Sequence, residues 1–572
     1  MLELDDARKA VIGCPRHMLV LGGPGSGKTT VALIKAEALI GEQQLKASQR
    51  VLFLSFARAT VARVAEHAGK LLPALERGKL EVNTYHGFTW GLLRSHGYLL
   101  RAGNPITLLP PPEAASRLSS LPEDQREAEK QRLLAEDGLL HFDLFASNAA
   151  LLLEGSKALQ RIYGSSYPLI ILDEFQDTNE DEWRFIRALT RYSQVMALAD
   201  PEQRIYEFRG ASAARIQEFQ QAFNPDVFDF GIENHRSNGT DIVQFGNDLL
   251  NGVNRGRGYN NVVVQTYIPR KGQLHLDFKR SVIGIKRRLL KGGRDWSLTI
   301  LVPSKDFMAE VSAYLSNDAD GLPSIRHEVA FDQEAAALAA VAIAALLEGG
   351  PHAESITLQL LRNLCAHVRG RRGEKTPSKS NLDLVEAIDG IAGGQALKKI
   401  AHRRVLAAAQ EISQQRMQLV LTGDPAADWI AVRKLLDAST CAELRQIAAD
   451  ARFVRLLGKG TLLRGRLGEV WRGTQSYVGA EGLVRDALLQ EHFQTVTKEW
   501  KGIHLMTMHK SKGKEFTEVL LYEGLMKGRY LSDIASPERE RQARLTMRVA
   551  VTRAMQRATI LTPNGRRRSS LL

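Results

Sequence analysis

Short runs of apolar residues recur along this 572-residue chain, and residues with helical spacing lie between them. The runs occupy residues 18–23, 51–55, 168–174, 194–200, 298–303, 503–507, 518–522 and 558–562. Continuous apolar strands that alternate with helices are typical of a parallel sheet covered by helices on both faces. The pattern therefore predicts an α/β protein with two parallel-sheet cores.

Two long stretches lack these strand-like runs and carry mainly helical patterns. We expect each of them to interrupt one core, since a chain of this length divides into several domains. Within the second stretch, residues 369–381 have the composition of an exposed loop. The predicted division is a first core of residues 1–88 and 165–232 with an insertion at 89–164, and a second core of residues 233–331 and 498–572 with an insertion at 332–497.

The charge of the chain is strongly unbalanced. Lys and Arg number 77 against 64 Asp and Glu, which gives a formal net charge of +13. Such an excess favours a polyanionic partner, and nucleic acid before a membrane surface. On charge alone, a basic surface without any such partner stays an open alternative.

Cysteine content and apolar run length exclude several classes of protein. The three cysteines, Cys14, Cys365 and Cys441, form no CxxC pair, so a disulfide framework or zinc ribbon is not expected. The longest apolar run, residues 335–347, is shorter than the roughly 20 residues that a bilayer span requires. The first residues, MLELDDARKA, do not form a signal-type apolar stretch. These features predict a cytoplasmic protein with no membrane partner.

The segment GGPGSGKTT at residues 22–30 matches the pattern GxxxxGK[ST] and lies between a predicted strand and a predicted helix. Glycines in such a loop let backbone N–H groups surround phosphates, and the helix N-terminus adds positive potential. Lys28 is predicted to reach the β- and γ-phosphates of ATP, and the Thr29 hydroxyl to hold Mg²⁺. The predicted nucleotide-binding residues of this loop are Gly22, Gly25, Ser26, Gly27, Lys28, Thr29 and Thr30.

A second motif, LIILDEFQDTN at residues 169–179, places carboxylates directly after a buried strand. Beside a phosphate-binding loop, Asp173 is expected to bind the phosphates through Mg²⁺, and Glu174 to polarise the attacking water. Solvated carboxylates at a strand end are the alternative interpretation, and they would be common without the loop.

Gln176 and Asp177 complete a sequence, DEFQDTN, that resembles motif II of the UvrD/Rep/PcrA-type helicases of superfamily 1A. Further segments resemble the other motifs of that family in the same order. They are LSFARATVARV (54–64), NTYHGF (83–88), ADPEQRIYEFRGA (199–211), ENHRS (233–237), LMTMHKSKGKEF (505–516) and RVAVTRA (548–554). The resemblance implies two RecA-like cores, each with a mainly helical insertion, that use ATP and Mg²⁺ to move on DNA.

The same resemblance implies roles for residues outside the phosphate-binding loop. Gln203 would report the presence of the γ-phosphate, and Glu515 would bind the ribose. Arg236 and Arg553 would reach across a cleft from the second core and stabilise charge on the transferred phosphoryl group. The residues implied to couple the phosphate site to DNA are Gln176, Asp177 and Arg209.

DNA contacts are expected from aromatic and neutral polar residues. Aromatic side chains stack on bases of any sequence, at about 1–3 kcal/mol per base. Phe56, Tyr206 and Phe208 occupy motif positions that imply such stacking, although core packing stays an open alternative for each of them. The predicted contacts to the sugar–phosphate backbone are Thr84, His86, Thr507 and His509.

Three positions depart from the family pattern around the adenine base. Residues 4–11 lack the usual upstream glutamine, His235 replaces a tyrosine, and Thr30 replaces an arginine. We therefore expect weaker discrimination among nucleotides than in typical relatives.

The function implied by the resemblance is ATP-dependent translocation on single-stranded DNA, 3′ to 5′, with unwinding of tailed duplex DNA in repair, recombination or genome defence. One alternative is a DNA-stimulated ATPase that acts as the motor or sensor subunit of a larger complex, for example in phage defence, and unwinds little alone. Another is a DNA-binding module without enzymatic activity. A DNA partner implies association with the nucleoid.

Overall fold

The structure is a computed structural model that separates into two compact units. The first unit combines residues 1–92, 146–331 and 495–572, and the second combines residues 93–145 and 332–494. The described residues are 5–41, 45–73, 76–101, 103–203, 214–231, 236–270, 273–293, 295–330, 333–393, 395–453, 462–493, 500–525, 528–531, 536–565 and 569–572.

All but one of the strands found among the described residues form two large sheets and one short pair. The strands are β1 (Met18–Leu21), β2 (Val51–Ser55), β3 (Leu80–Thr84), β4 (Thr107–Leu108), β5 (Leu139–Leu140), β6 (Leu169–Leu172), β7 (Gln194–Ala199), β8 (Asp226–Asp229), β9 (Val262–Tyr267), β10 (Ser297–Val302), β11 (Glu328–Val329), β12 (Arg371–Glu374), β13 (Gly502–Thr507), β14 (Phe516–Tyr522) and β15 (Ala554–Pro563).

Helices connect these strands and build most of the second unit. They are α1 (Asp6–Gly13), α2 (Lys28–Gly41), α3 (Arg58–Leu71), α4 (Tyr85–His96), α5 (Pro111–Leu118), α6 (Glu123–Arg132), α7 (Phe145–Gly155), α8 (Lys157–Ser166), α9 (Glu180–Leu189), α10 (Arg215–Phe223), α11 (Ile242–Asn251), α12 (Leu276–Lys291), α13 (Lys305–Ser316), α14 (Gln333–Glu348), α15 (Ala353–Gly370), α16 (Lys379–Asp389), α17 (Ile400–Gln418), α18 (Pro425–Asp437), α19 (Ala442–Asp450), α20 (Leu462–Thr474), α21 (Ala480–Phe493) and α22 (Pro537–Val551).

The first sheet, with its helices, forms the first core. Its strand order is β3-β2-β6-β7-β1-β8, and the pairings described for it are all parallel. The central strands β2 and β6 are buried along their whole length, as their continuous apolar sequences predict. Leu54 pairs with Leu172, so the residues that follow these strands emerge at the same edge of the sheet.

The second sheet forms the second core and has the order β11-β13-β10-β14-β15-β9, again with parallel pairings. Apolar side chains cover both faces of it, in one cluster around Leu521 and Ile560 and another around Ile300 and Leu520. The two sheets confirm the predicted α/β fold with two parallel-sheet cores. The strands that the apolar runs did not predict are edge strands such as β8, which has no fully buried residue, and β9, which is buried only at its two ends.

The second unit brings both insertions together in one mainly helical body. The alanine-rich helix α14 lies in its interior, where Ala340, Ala342 and Ile343 are fully buried. Small side chains allow close approach elsewhere too: a Cβ atom on Gly370 would lie 2.7 Å from Leu338 Cδ1 and 2.9 Å from Ser116 N. The segment predicted as an exposed loop at 369–381 instead contains the end of α15, the strand β12 and the beginning of α16.

The four-part division of the chain stays a prediction, since the observed units group the segments differently at residues 93–145 and 146–164. Within the described part of the chain, no helix is both long enough and apolar enough to cross a membrane.

Candidate nucleotide-binding site

The phosphate-binding loop joins β1 to the first turn of α2. Gly25 and Gly27 have φ angles of 80° and 87°, a backbone conformation that side chains other than glycine rarely adopt. A Cβ atom on Gly22 would lie 2.6 Å from Ser26 Oγ, so this position also has no room for a side chain. The glycines of the motif are therefore required by the shape of the loop.

Lys28 begins α2 and turns its ammonium back over this loop. Its Nζ donates hydrogen bonds to the carbonyl oxygens of Gly22 and Gly23, the latter at 3.1 Å. Burial lowers the pKa of Lys28, while the carboxylates of Asp200 and Glu174 oppose that change. The cation is thus positioned inside the loop, beside acidic groups.

Asp173 follows β6 and is buried at the carboxyl edge of the first sheet. The Ser55 hydroxyl, at the end of the neighbouring β2, donates a hydrogen bond of 2.8 Å to Asp173 Oδ2. Burial and the adjacent Glu174 carboxylate raise the pKa of Asp173 to about 6. A buried carboxylate that is oriented by a hydroxyl and faces a phosphate-binding loop is suited to a cation.

Glu174 has a φ angle of 53°, in the left-handed region that residues other than glycine rarely adopt. Backbone strain of this kind occurs at functional sites, where the surrounding contacts maintain it. Burial alone would raise the pKa of Glu174, but the cations of Lys512 and Lys28 outweigh burial and lower it. Glu174 is therefore held as a carboxylate.

Gln176 connects Glu174 to the next strand of the sheet. Its Nε2 donates a hydrogen bond of 2.6 Å to Glu174 Oε2, and its Oε1 accepts one of 3.0 Å from the Asp200 backbone N–H. The amide is buried, and the bond to the Asp200 N–H forms away from solvent. This side chain is a direct link between the ends of β6 and β7.

Asp177 makes its main contact with the second core. Lys512, in the segment after β13, donates a hydrogen bond to Asp177 Oδ2, and its Nζ lies 3.7 Å from Glu174 Oε2. Burial raises the pKa of Asp177, and the Lys512 ammonium opposes that rise. The two cores are therefore joined by a buried ion pair beside Glu174.

Two arginines, one from each core, bind Glu515, which precedes β14. Arg236 Nε donates to Glu515 Oε1 at 2.9 Å, and Arg63 of α3 donates to the same oxygen from the first core. Burial would raise the pKa of Glu515, but Arg236 and Arg63 outweigh it, and the pKa falls to about 2. Burial and the nearby Arg236 lower the pKa of Arg553 to about 9.

These groups line one pocket, with a cavity volume of about 330 Å³, that both cores form. A Cβ atom on Gly513, φ 75°, would lie 2.5 Å from Ala57 Cβ, so the cores approach closely at its edge. Gly22 does not line the pocket, but its carbonyl oxygen accepts a hydrogen bond from Lys28. The predicted site residues that line the pocket are Gly25, Ser26, Gly27, Lys28, Thr29, Thr30, Asp173, Glu174, Gln176, Arg236, Glu515 and Arg553.

The donor set of the pocket fits a magnesium ion. Thr29 and Asp173 offer a hydroxyl and a carboxylate oxygen, the hard ligands that Mg²⁺ takes when it binds with a nucleotide. These two residues would hold the ion. When bound, Mg²⁺ neutralises charge on the β- and γ-phosphates.

The predicted DNA contacts that the structure describes lie at, or just after, the carboxyl ends of strands in both sheets. Thr84 ends β3 and Thr507 ends β13, and a histidine follows each of them two residues later. The side chain of Phe56 stacks on Tyr85, with ring centroids 4.3 Å apart. This contact gives Phe56 a packing partner within the protein.

Some predicted residues lie outside the described part of the chain. Tyr206, Phe208 and Arg209 are among them, as is His235. Gln203 ends a 3-10 turn that follows β7, and only its backbone is described. The roles assigned to these residues stay predictions.

The site also contains residues that the sequence motifs alone did not single out. Arg63, Lys512 and Arg548 each make an ion pair between the two cores, and Ser55 orients Asp173. Ser55 could have been found from the pattern, because carboxyl ends of adjacent parallel strands meet at one edge. The three cations lie within motif segments, but their partners are far away in sequence.

Comparison with known proteins supports the family resemblance. Residues 4–136 and 125–224 match the family described as the UvrD/REP helicase N-terminal domain. DNA helicase II of Salmonella typhimurium is 26% identical over 300 residues, which are 45% of this chain and 41% of that protein. DNA helicase II of Escherichia coli gives the same identity and shares.

A similar match is found with ATP-dependent DNA helicase UvrD1 of Mycobacterium leprae, 22% identical over 301 residues, which are 42% of this chain and 38% of that protein. The chain thus spans about two fifths of the length of the curated relatives it matches. The ordered motifs, the two parallel-sheet cores and these matches together show that the chain is similar to UvrD-like DNA helicases, and the family match covers residues 4–224.

Proposed function

We propose that this chain hydrolyses ATP in the pocket between its two cores and uses the cycle to move along single-stranded DNA, 3′ to 5′, and to unwind duplex DNA. The observation that carries the proposal is the pocket itself. It combines Lys28 and Glu174 of the first core with Arg236 and Arg553 of the second. The relatives named DNA helicase II and ATP-dependent DNA helicase UvrD1 support this reaction.

The chemistry assigns one task to each group. Lys28 and the loop N–H groups bind the phosphates, and Glu174, kept ionised, accepts a proton from the attacking water. Arg236 and Arg553 stabilise the charge that develops on the transferred phosphoryl group. Because these arginines belong to the second core, full catalysis requires the cores to be closed on the nucleotide.

DNA is the proposed track because strand-end polar groups and net charge both suit it. The Thr84–His86 and Thr507–His509 pairs lie at matching strand ends, one pair on each core. Alternating contact by the two pairs would convert opening and closing into directed movement. The formal charge of +13 favours a polyanion, and an ionic contact to single-stranded DNA weakens with salt.

Strand displacement tests the proposal directly. Duplexes with a 3′ tail or a 5′ tail are incubated with ATP, while ATP hydrolysis is followed with single-stranded DNA, duplex DNA and RNA. We expect DNA-stimulated hydrolysis and displacement of the 3′-tailed substrate, and loss of both in Lys28→Ala, which still binds DNA. Stimulated hydrolysis without displacement would favour a motor subunit of a larger complex. Absence of hydrolysis would favour a binding module.

A further inference from the structure

Arg548 lies on α22 of the second core and is buried, with an exposed fraction of 2%. Its guanidinium binds the 3-10 turn Pro201–Gln203 of the first core. Nη1 donates a hydrogen bond of 3.0 Å to the Glu202 carbonyl oxygen, and Nη2 lies 2.9 Å from Glu202 Oε2. One side chain therefore binds both the backbone and the carboxylate of the turn that carries Gln203.

The second core holds this guanidinium in a fixed orientation. Arg548 Nε donates a hydrogen bond of 3.0 Å to Asn247 Oδ1 on α11. The adjacent Gly246 leaves room for the side chain, since a Cβ atom there would lie 3.2 Å from Arg548 Cγ. Asn247 thus orients the guanidinium from within the second core.

The same helix positions Arg553 in the nucleotide pocket. α22 ends at Val551 with Thr552 as its C-cap, and Arg553 Nε donates a hydrogen bond of 2.9 Å to the Val549 carbonyl oxygen. Arg548 therefore lies near the C-terminal end of α22, and Arg553 follows two residues after its last residue and is bound back to the helix by this hydrogen bond.

The 3-10 turn Pro201–Gln203 is also linked to Glu174. Asp200, whose N–H is bound by Gln176, accepts the Glu202 N–H at 3.0 Å, and its Oδ2 lies 3.9 Å from Arg548 Nη1. A buried guanidinium is strongly unfavourable without its partners, so α22 is coupled to the position of this turn. The contacts run from Glu174 through Gln176, Asp200 and Arg548 to Arg553.

We propose that Arg548 is a positioning residue for ATP hydrolysis: through Glu202 it aligns α22, and so Arg553, with the turn that follows β7. The inference rests on the proposed function. In it, Arg548 does not contact the nucleotide and acts through the position of Arg553. It predicts that changes at Arg548 or Glu202 lower kcat while leaving ATP binding intact.

The test compares four variants in DNA-stimulated ATP hydrolysis. Arg548→Met removes the contact, Arg548→Lys keeps the charge without the forked geometry, and Glu202→Gln weakens the contact from the exposed side of the pair. Arg544→Met is the matched control, because Arg544 lies one turn earlier on α22 and binds Glu540 and the Leu249 carbonyl oxygen. Binding stoichiometry and Kd are measured with a non-hydrolysable ATP analogue.

We expect Arg548→Met to lower kcat about tenfold or more with KM for ATP within about threefold of wild type. Arg548→Lys and Glu202→Gln should show smaller losses in kcat, and Arg544→Met should stay within about twofold. An unchanged stoichiometry for the analogue separates this loss from unfolding. If Arg548→Met is unstable, Glu202→Gln carries the test alone.

Wild-type kcat in both Arg548→Met and Glu202→Gln would overturn the inference, as would a loss confined to KM. If the wild-type chain shows no DNA-stimulated hydrolysis, the proposed function itself fails, and the inference fails with it. The two failures are therefore distinguished by the wild-type measurement.

Discussion

The ammonium of Lys512 donates a hydrogen bond to the Asp177 carboxylate, and this pair joins the second core to the first. Both side chains are almost completely buried, with exposed fractions of 4% and 1%. Asp177 Oδ1 has no hydrogen-bond partner among the described residues. The charge of Asp177 therefore depends strongly on Lys512, and the contact between the cores depends on both.

Removal of one member of this pair should be costly. We expect Lys512→Met to lower the free energy of unfolding by about 3–5 kcal/mol, because it leaves a buried carboxylate without its cation. The double variant Asp177→Asn/Lys512→Met should recover much of that loss. Urea unfolding measures both.

The exposed Lys291 of α12 provides the control, and Lys291→Met should change the stability by less than about 0.5 kcal/mol. A Lys512→Met protein as stable as this control would show that the pair does not hold the cores together.

Gln176 offers a test of coupling within the first core. We expect Gln176→Met to reduce DNA-stimulated kcat about tenfold with little change in KM. The substitution removes both hydrogen bonds of the amide, but it leaves the predicted phosphate-binding groups unchanged. Steady-state kinetics with saturating single-stranded DNA measures this. Gln194→Met is the control, because Gln194 binds the Cys14 and Arg16 carbonyl oxygens at the other end of β7. Equal kcat for the two variants would contradict the coupling role.

Glu515 makes the stability of the chain depend on pH in a definite direction. Its pKa falls from 4.5 to about 2 in the folded chain, so its ion pairs stabilise fully above the ordinary value and are lost as pH falls toward 2. Glu515→Gln should therefore cost at most about 3 kcal/mol near neutral pH and nothing at the acid end. Urea unfolding of both proteins from pH 7 downward measures the difference. A difference that does not shrink on acidification would count against these ion pairs.

The sequence pattern predicted the central strands of the two sheets but not the edge strands. β2 and β6 were predicted because strands buried on both faces are continuously apolar, but β8, with the sequence DVFD, lies at an edge where no such run is needed. Motif spacing predicted Lys28 and Asp173, since each follows a recognisable strand.

The sequence did not predict the ion pairs between the two cores. Arg63 and Glu515 are 452 positions apart, and their contact depends on how the two cores pack against each other. A lone arginine in a helix is most often a surface residue, so local pattern carries no signal for Arg63 or Arg548. Their roles become visible only when burial and partners are known.

Nucleotide selectivity tests the prediction from the altered adenine contacts. We expect GTP to be hydrolysed within about tenfold of the ATP rate at equal DNA, because the positions that the family resemblance assigns to the base carry other residues here. Thr30→Arg, which introduces the residue usual in relatives, should increase the preference for ATP. Parallel kcat/KM measurements with both nucleotides decide this. Strict selectivity for ATP in the wild-type chain would refute the prediction.

The central claim is that groups from both cores act on one nucleotide, and Arg553 tests it most directly. ATP hydrolysis with saturating single-stranded DNA is compared in Arg553→Ala and in Arg557→Ala, whose arginine lies four residues further along β15 and donates to Asn261 Oδ1. We predict a loss in kcat of at least about a hundredfold for Arg553→Ala, and a change within about twofold for Arg557→Ala. An Arg553→Ala protein that hydrolyses ATP as fast as the Arg557→Ala control would contradict the claim.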